Sequence, residues 1–508
     1  MKVAADILPE PPVSADRSAQ VTTTGRELKR GALLNTIALL ATHFRAIFTL
    51  LIARILGAAA LGIFSVVWAT TDLVSKLGVI GLDDAVTTFV ARAEAVGDRS
   101  RSRVYFRVAN LVAFGQSTLV AALLSFGVGW FGPLIGWERS MMSAFAAIVW
   151  ALPGIALYRI NTSVSRGARI MHHDIYSRGL TEPIGTTIAF LVALTLGSRT
   201  FAPEYAQVFG SIAAGVVGLM LVRKLFQAAS IGHDIDVKAE ARKLLGYALP
   251  IGADQFLNAF IWRMDVIILG CFVDRAPGVT LTTLGIYGAV VGLANGLRRV
   301  SQPFTPIFTP VVAGMTATGA HREAAATYSR LLQWMLWILV PFTAVMVLAG
   351  NTILMIYGAS FQQGGQWLTV VAIGCATSAF VNLGETVIMV QRPGLNLLNT
   401  LITCAVGGAT TFMLVPRFGV MGAAIGVLVT YAIQGLVRTI ILHFVFHWPN
   451  PWKEVRPVTL IAIAAILPAI VVRLRFPGIL GQISSALLCL AIFGIGWLYY
   501  RRVPRTSG

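Results

Sequence analysis

The sequence has few charged residues for its length, and this scarcity excludes most soluble proteins. Only 12% of its 508 residues are charged, whereas 56% are hydrophobic. A soluble globular protein carries about 25% charged residues. This chain therefore cannot cover itself with a solvated surface, and its composition predicts a membrane protein with many spans.

Short chemical motifs are also missing. The four cysteines lie singly in apolar segments, with the spacing of neither a metal site nor a disulfide framework. The chain has no Walker phosphate-binding sequence and no nucleophile elbow. We therefore expect no metal, no cofactor and no ATP hydrolysis by this chain, and any driving force would be a proton gradient, a sodium gradient or the membrane potential.

Apolar runs of about 20 residues, the length that crosses a hydrocarbon core of about 30 Å, recur along the chain. They predict an all-α polytopic membrane protein with about fourteen transmembrane helices. The predicted spans are roughly 32–55, 61–82, 104–127, 140–158, 179–197, 205–222, 247–272, 281–300, 331–350, 366–388, 395–415, 420–437, 457–472 and 480–500.

The positions of lysine and arginine orient these spans. Of the 40 basic residues, 30 fall in regions that are inner if the N-terminus is inside, 7 in outer regions and 3 in the interior of spans, where residues at the span ends are counted with the adjoining loops. Inner loops of membrane proteins are rich in lysine and arginine. Both termini are therefore predicted to be cytoplasmic. Because the charge is spread over many loops, it does not indicate a nucleic-acid partner.

A short repeat predicts two lobes. LGIF at 61–64 opens the second span and LGIY at 284–287 opens the eighth, six spans later in the same orientation. Parallel repeats of this kind bind substrate where the lobes meet. The predicted division is a disordered cytoplasmic tail at 1–30, an N-lobe at 31–226, a cytoplasmic linker at 227–246, a C-lobe at 247–446, and spans 13 and 14 with the C-terminal tail at 447–508.

Several longer strings resemble a known family. The first half contains ARILGAAALGIFSVVWATTDLVSKLGVIGLDD. The second half contains LPIGADQFLNAFIWRMDVIILG, MIYGASFQQGGQWLTVVAIG and NTLITCAVGGATTFMLVPRFGVMGAAIGVLV. In order over about 31 to 446, these strings are similar to oligosaccharide flippases. Those form the polysaccharide-transporter branch of the multidrug/oligosaccharidyl-lipid/polysaccharide exporter superfamily.

The resemblance implies a particular task. It implies a flippase that moves a polyprenyl-pyrophosphate-linked oligosaccharide, a precursor of cell-surface polysaccharide or O-antigen, from the inner to the outer leaflet of a bacterial inner membrane. Its partners would be that substrate, membrane lipids, and polysaccharide polymerase or assembly proteins.

Charged residues within spans are expensive, and they mark candidate sites. Arginine suits a pyrophosphate because its planar fork donates hydrogen bonds in pairs. We therefore expect a cationic cavity, with alternating access around it. The candidate substrate-binding residues are Arg45, Arg54, Arg263, Lys76, Arg298 and Arg299, and the candidate coupling or charge-pairing residues are Asp72, Asp265 and Glu385.

Some of these residues have plainer interpretations. Arg54 is close enough to the outer interface to snorkel, and Arg298 and Arg299 fit the charge rule for inner loops. Asp72 and Lys76, four residues apart, can neutralise each other on one helix face. The glycines at 288, 292 and 296 form a side-chain-free face that predicts close helix packing.

Two other functions compete with the flippase. An ion-coupled multidrug or small-molecule antiporter of the same superfamily would have a similar sequence, although an arginine-bearing interior favours an anionic substrate. A polymerase or ligase of lipid-linked sugars is less favoured. We expect such an enzyme to carry a sizeable outer loop, and the predicted outer loops are all short.

Overall fold

A computed structural model describes residues 45–226, 235–449 and 451–502, apart from 303, 306–307, 310–311, 313 and 316–319. The predicted tail at 1–30 and the first part of the predicted linker, 227–234, lie outside the described residues. Within them the fold is all-helical and contains no strand. This confirms the predicted fold class.

Seventeen helices are described along the chain. The first half contains α1 (45–55), α2 (Gly57–Val79), α3 (Leu82–Ala95), α4 (Arg99–Phe131), α5 (Arg139–Ile148), α6 (Leu152–Gly167), α7 (His172–Asp174), α8 (Glu182–Thr195) and α9 (Ala202–Leu225). The second half contains α10 (Val237–Cys271), α11 (Leu281–Arg298), α12 (His321–Leu348), α13 (Gly350–Leu354), α14 (Gly365–Gln391), α15 (Pro393–Ile440), α16 (Trp452–Arg475) and α17 (Ile479–Arg502). We refer to α1–α9 as the N-half and to α10–α15 as the C-half.

Nine helices within the described residues are long and apolar enough to cross a membrane. The longest apolar stretch, Gly394–Val445, has 52 residues and consists of α15 and the turn after it. It covers two of the predicted spans. Its helix is broken at Gly419, where φ is 56° and ψ is −131°, a conformation that favours glycine. The protein is therefore a multi-pass membrane protein, while the count of fourteen spans and the placement of the termini remain predictions.

The last two helices pack on the C-half through a small separate core. Ala344 and Leu348 of α12 contact Val458 and Ala465 of α16 and Phe493 of α17 in a buried cluster. The small side chains matter here, because lipid gives no hydrophobic driving force and helices associate through close packing. That spans 13 and 14 stand outside the repeat stays a prediction.

The repeated LGIF and LGIY strings meet each other in space. A Cβ added to Gly62 of α2 would clash with the carbonyl oxygen of Leu281, and one added to Gly285 of α11 would clash with that of Ala58. The two glycines therefore let the two helices touch backbone to backbone. We call this contact the glycine seam, and following the predicted orientation we call its end of the bundle the outer end.

The predicted glycine face of α11 is only partly used for packing. A Cβ on Gly288 would clash with Ser65 Oγ of α2, whereas nothing lies within 4 Å of a Cβ on Gly292 or Gly296. The expectation of close packing along all three glycines is therefore wrong for the last two. The close contact between α2 and α11 instead runs from Gly288 to Gly285, toward the outer end. Gly285 is the glycine of the LGIY string.

Gly285→Ala should lower the stability of the folded protein, because the added methyl group overpacks the glycine seam. Overpacking costs about 1–3 kcal/mol. The matched control is Gly292→Ala on the same helix, where the space is open and alanine favours the helix. Thermal unfolding of the purified protein in detergent measures both variants. Equal unfolding temperatures for the two variants would contradict the seam.

Candidate functional site

A central cavity of about 710 Å³ lies between α2 and the C-half. Asp72 and Lys76 of α2 line one wall, while α10, the end of α11, α14 and α15 form the others. The lining is rich in amide and hydroxyl side chains, namely Gln255, Asn258, Ser301, Gln302, Thr305, Thr309, Ser378, Asn382, Thr386 and Gln434. On every helix the lining residues lie away from the glycine seam, toward the predicted inner end.

The Asp72 carboxylate connects two arginines at this cavity. Arg263 donates from Nε and Nη2 to Asp72 Oδ2, at 3.1 Å and 3.0 Å. Arg159 of α6 donates from Nη2 to Asp72 Oδ1 at 3.4 Å. Asp72 and Arg159 belong to the N-half and Arg263 to the C-half. Among the ion pairs of the described residues, Asp72–Arg263 is the one that joins the two halves.

Lys76 does not pair with Asp72 in the structure. The Asp72 oxygens are occupied by the two arginines, and the described residues include no ion pair of Lys76. The expected pair between Asp72 and Lys76 on one helix is therefore wrong. Asp72 instead pairs with arginines on two other helices, one at each carboxylate oxygen. Lys76 instead stands on the cavity wall as a separate cation.

Arg298 lies at the inner end of α11 and is 6% exposed. Its guanidinium carbon is 3.6 Å from the ring centroid of Trp262 and 4.6 Å from that of Tyr431. No carboxylate pairs with it among the described residues, and its buried Nε has no hydrogen-bond partner there. Cation–π contacts stabilise the charge without neutralising it. Arg298 and Lys76 are therefore the cavity cations without a carboxylate partner among the described residues, and Arg298 has the planar donor fork that suits a phosphate.

The cavity is not purely cationic, in contrast to the prediction. Its three cations, Lys76, Arg263 and Arg298, are matched by three acids, Asp72, Asp254 and Glu385. Glu385 accepts from Arg438 Nη2 at 2.5 Å, and Asp254 accepts from Asn258 at 3.1 Å. Formal charges on the wall therefore sum to zero.

Two of the arginines proposed for substrate binding have partners away from this wall. Arg45 pairs with the buried Glu182 of α8 and lies over the ring of Trp68. Arg54 donates to the carbonyl oxygens of Ile356 and Met355, at 2.7 Å and 3.1 Å. Arg54 thus joins α1 to the chain after α13 at the outer end. This role differs from both predicted ones, substrate binding in the cavity and snorkelling to the membrane interface.

The other two predicted residues outside the cavity lining are Arg299 and Asp265. Arg299 is exposed, one residue beyond Arg298. Asp265 is 4% exposed and accepts a hydrogen bond from Tyr287 of α11 at 2.9 Å. The Asp265 carboxyl group therefore contacts a neutral hydroxyl group. The charge-pairing role predicted for Asp265 would have required a charged partner on another span.

Sequence reasoning missed three residues of the site. Arg159 was placed in an inner loop because the apolar run ends at Tyr158, yet α6 continues to Gly167. Trp262 directly precedes Arg263, and Asp254 lies in the polar stretch GADQ. Trp262 beside Arg263 and the acid in GADQ could have been proposed as site residues from the sequence. The continuation of α6 past Tyr158 could not.

The two halves also meet at both ends of the bundle. At the outer end, the carboxyl groups of Glu138 and Asp274 share a hydrogen bond, which raises the pKa of Glu138 above its usual range. At the inner end, Gln255 donates to Asp83 at 3.1 Å and to Asp84 at 2.7 Å. The cavity is therefore bounded by contacts between the halves above and below.

Comparison with protein families finds one match over more than half of the chain. A family model described as "Polysaccharide biosynthesis protein" matches residues 28–313. "Stage V sporulation protein B" of Bacillus subtilis is 22% identical over 77% of this chain and 78% of its own length. "Probable flippase AglR" of Haloferax volcanii is 24% identical over 78% of this chain and 79% of its own length.

Solved structures share the fold at low identity. "Lipid II flippase MurJ, inward closed conformation" superposes with a TM-score of 0.67 at 11% identity, over 92% of this chain and 99% of that one. An inward-facing multidrug resistance MATE family transporter of the MOP superfamily gives 0.63 at 12%, over 81% and 94%. The fold is thus that of the superfamily to which the sequence strings are similar.

A double-mutant cycle of Asp72→Asn with Arg263→Gln should show a coupling energy of about 1–3 kcal/mol, because each change leaves the other group with an unmet partner. The matched cycle of Asp72→Asn with Lys76→Gln should give a smaller coupling, since these two side chains form no ion pair. Unfolding free energies of the purified variants measure both cycles. A larger coupling in the Lys76 cycle would contradict the described network.

Proposed function

Since the chain belongs to the polysaccharide biosynthesis protein family, we propose that it is a flippase that carries a lipid-linked oligosaccharide across a membrane. The family match over 28–313 and the relatives named as flippases support this proposal. In its finer form, the substrate is a polyprenyl-pyrophosphate oligosaccharide that moves from the inner to the outer leaflet of a bacterial inner membrane. Both termini then lie in the cytoplasm.

The observation that carries the proposal is Arg298. A lipid-linked sugar has a tail that can stay in lipid and a polar head that cannot. Arg298 offers an unneutralised guanidinium for a phosphate. The adjoining Trp262 ring offers a surface for the C–H face of a sugar, and the amides of Asn258 and Asn382 offer hydrogen bonds to its hydroxyl groups. Arginine binds phosphate with paired donors and keeps its charge. The cavity therefore matches the two chemical parts of the head group.

The Asp72–Arg263 pair suggests how binding is linked to movement. A pyrophosphate in the cavity competes with the Asp72 carboxylate for Arg263. Once Arg263 turns to the substrate, the ion pair between the halves is lost, while the outer end keeps the glycine seam and the Arg54 hydrogen bonds. We infer that substrate binding loosens the contact between the halves in this way and so favours a change in how they fit together.

The neutral wall also assigns a role to the membrane potential. With formal charges balanced in the empty cavity, the loaded protein carries the negative charge of the pyrophosphate. An inside-negative potential favours outward movement of negative charge, by about 2.3 kcal/mol per charge per 100 mV. We infer that the potential assists the loaded step. Alternatively, a proton or sodium gradient drives transport, with Glu385 or Asp265 as the coupling residue.

Arg298→Ala should lower translocation about ten- to hundredfold with the protein still folded, because a charge-assisted hydrogen bond is worth about 1.5–3 kcal/mol. The matched control is Arg299→Ala, which removes an exposed charge from the next residue. Outer-leaflet exposure of a labelled polyprenyl-pyrophosphate sugar in vesicles measures both variants.

Two results would overturn this assignment. Normal translocation by a well-folded Arg298→Ala protein would remove the arginine from the site. Drug efflux by the wild-type protein in cells, without any transfer of the lipid-linked sugar in vesicles, would favour the multidrug antiporter instead.

A further inference from the structure

A second cavity of about 300 Å³ lies at the predicted inner end of the C-half, outside the central cavity. Its walls come from α12, the ends of α14 and α15, and the chain that leads into α16. Aromatic rings of Tyr328, Phe380 and Trp448 form much of the lining. A mainly apolar lining with a few polar groups is the usual character of a small-molecule or lipid site.

Two buried donors on this wall lack acceptors. Arg438 is 2% exposed and Trp448 is 4% exposed. Arg438 Nε and Trp448 Nε1 have no hydrogen-bond partner within the described part of the chain. Leaving one buried donor unsatisfied costs about 1–3 kcal/mol. Two such donors on one cavity therefore point to an acceptor that reaches both side chains.

The mouth of this cavity carries further basic groups. His443, Phe444 and Trp448 also line an adjoining, more open space of about 650 Å³. Arg322 and His447 line that space as well. The path into the aromatic cavity therefore leads past an arginine and two imidazoles, a lining that favours an anion.

Arg438 links the second cavity to the central one. Its Nη2 donates to Glu385 Oε2 at 2.5 Å, and its Nη1 donates to the carbonyl oxygen of Val381 at 3.3 Å. Glu385 lines the central cavity, while Arg438 lines the second. One guanidinium therefore stands between the two cavities, and its Nε is a donor without a partner among the described residues.

We propose that the second cavity binds the acidic head group of a membrane amphiphile, a phosphate on an apolar chain, and that this phosphate competes with Glu385 for Arg438. The guanidinium suits the phosphate and the aromatic wall suits the start of the chain. Basic pockets between spans on the cytoplasmic side bind acidic lipid head groups. This site lies outside the central cavity, so the proposal does not depend on the head group bound there.

Competition between the phosphate and Glu385 for Arg438 predicts that some substitutions weaken lipid binding and that one strengthens it. Arg438→Gln should weaken binding of phosphatidylglycerol about tenfold or more, and Trp448→Phe, which keeps the ring and removes the N–H, should weaken it severalfold. Glu385→Gln should strengthen binding, because Arg438 loses its competing carboxylate. A general loss of structure cannot produce that increase. The matched control is Arg456→Gln, an exposed charge near the same loop.

Native mass spectrometry of the full-length protein measures binding, with phosphatidylglycerol, phosphatidylcholine and a polyprenyl phosphate titrated separately. Phosphatidylglycerol binding that depends on Arg438 and Trp448 supports a phospholipid ligand. The same dependence with the polyprenyl phosphate alone supports the phosphate site and assigns it to the carrier lipid. Equal binding of phosphatidylcholine, or equal affinities for wild type, Trp448→Phe and Glu385→Gln, would overturn the proposal.

Discussion

The carboxylate of Asp72 is the interaction on which the central site depends. It holds Arg159 of its own half and Arg263 of the other half on separate oxygens. Both Asp72 and Arg263 are about a quarter exposed, so the pair is reachable from the cavity and only partly screened by water. Removing one partner from a buried pair is costly because a charge is left uncompensated. An ion pair in this position is stable until another anion takes one of its arginines.

The remaining contacts between the halves are of a different kind. The glycine seam at Gly62 and Gly285 depends on backbone contact and shape, and so it does not respond to charge. Gln255 joins the inner end to Asp83 and Asp84 through neutral donors. The Asp72–Arg263 pair is thus the contact through which an anionic substrate can influence how the halves fit together. Glu385 and Arg438 form a second charged contact, which lies wholly within the C-half.

The fold was predictable from the sequence to a large degree, because lipid imposes long apolar helices whose ends carry basic residues. The repeat strings even identified the two glycines that meet in the seam. The site was harder to predict. Arg263, Lys76, Arg298, Asp72 and Glu385 were named and do line the cavity, but their partners were not. Pairing is decided by which helices face each other, and Arg159 reaches Asp72 from a helix 87 residues further along the chain. For the same reason Arg45 and Arg54, although charged and within a predicted span, have partners elsewhere.

The most direct test of the account is the distance between the outer ends of the halves as substrate binds. Spin labels at Ser198→Cys and Thr280→Cys, on exposed outer loops and with the four native cysteines replaced by serine, report that distance by electron paramagnetic resonance. The account predicts that a polyprenyl-pyrophosphate sugar lengthens it, and that Asp72→Asn lengthens it without substrate. A distance that stays the same in both experiments would contradict the claim that the Asp72–Arg263 pair controls how the two halves fit together.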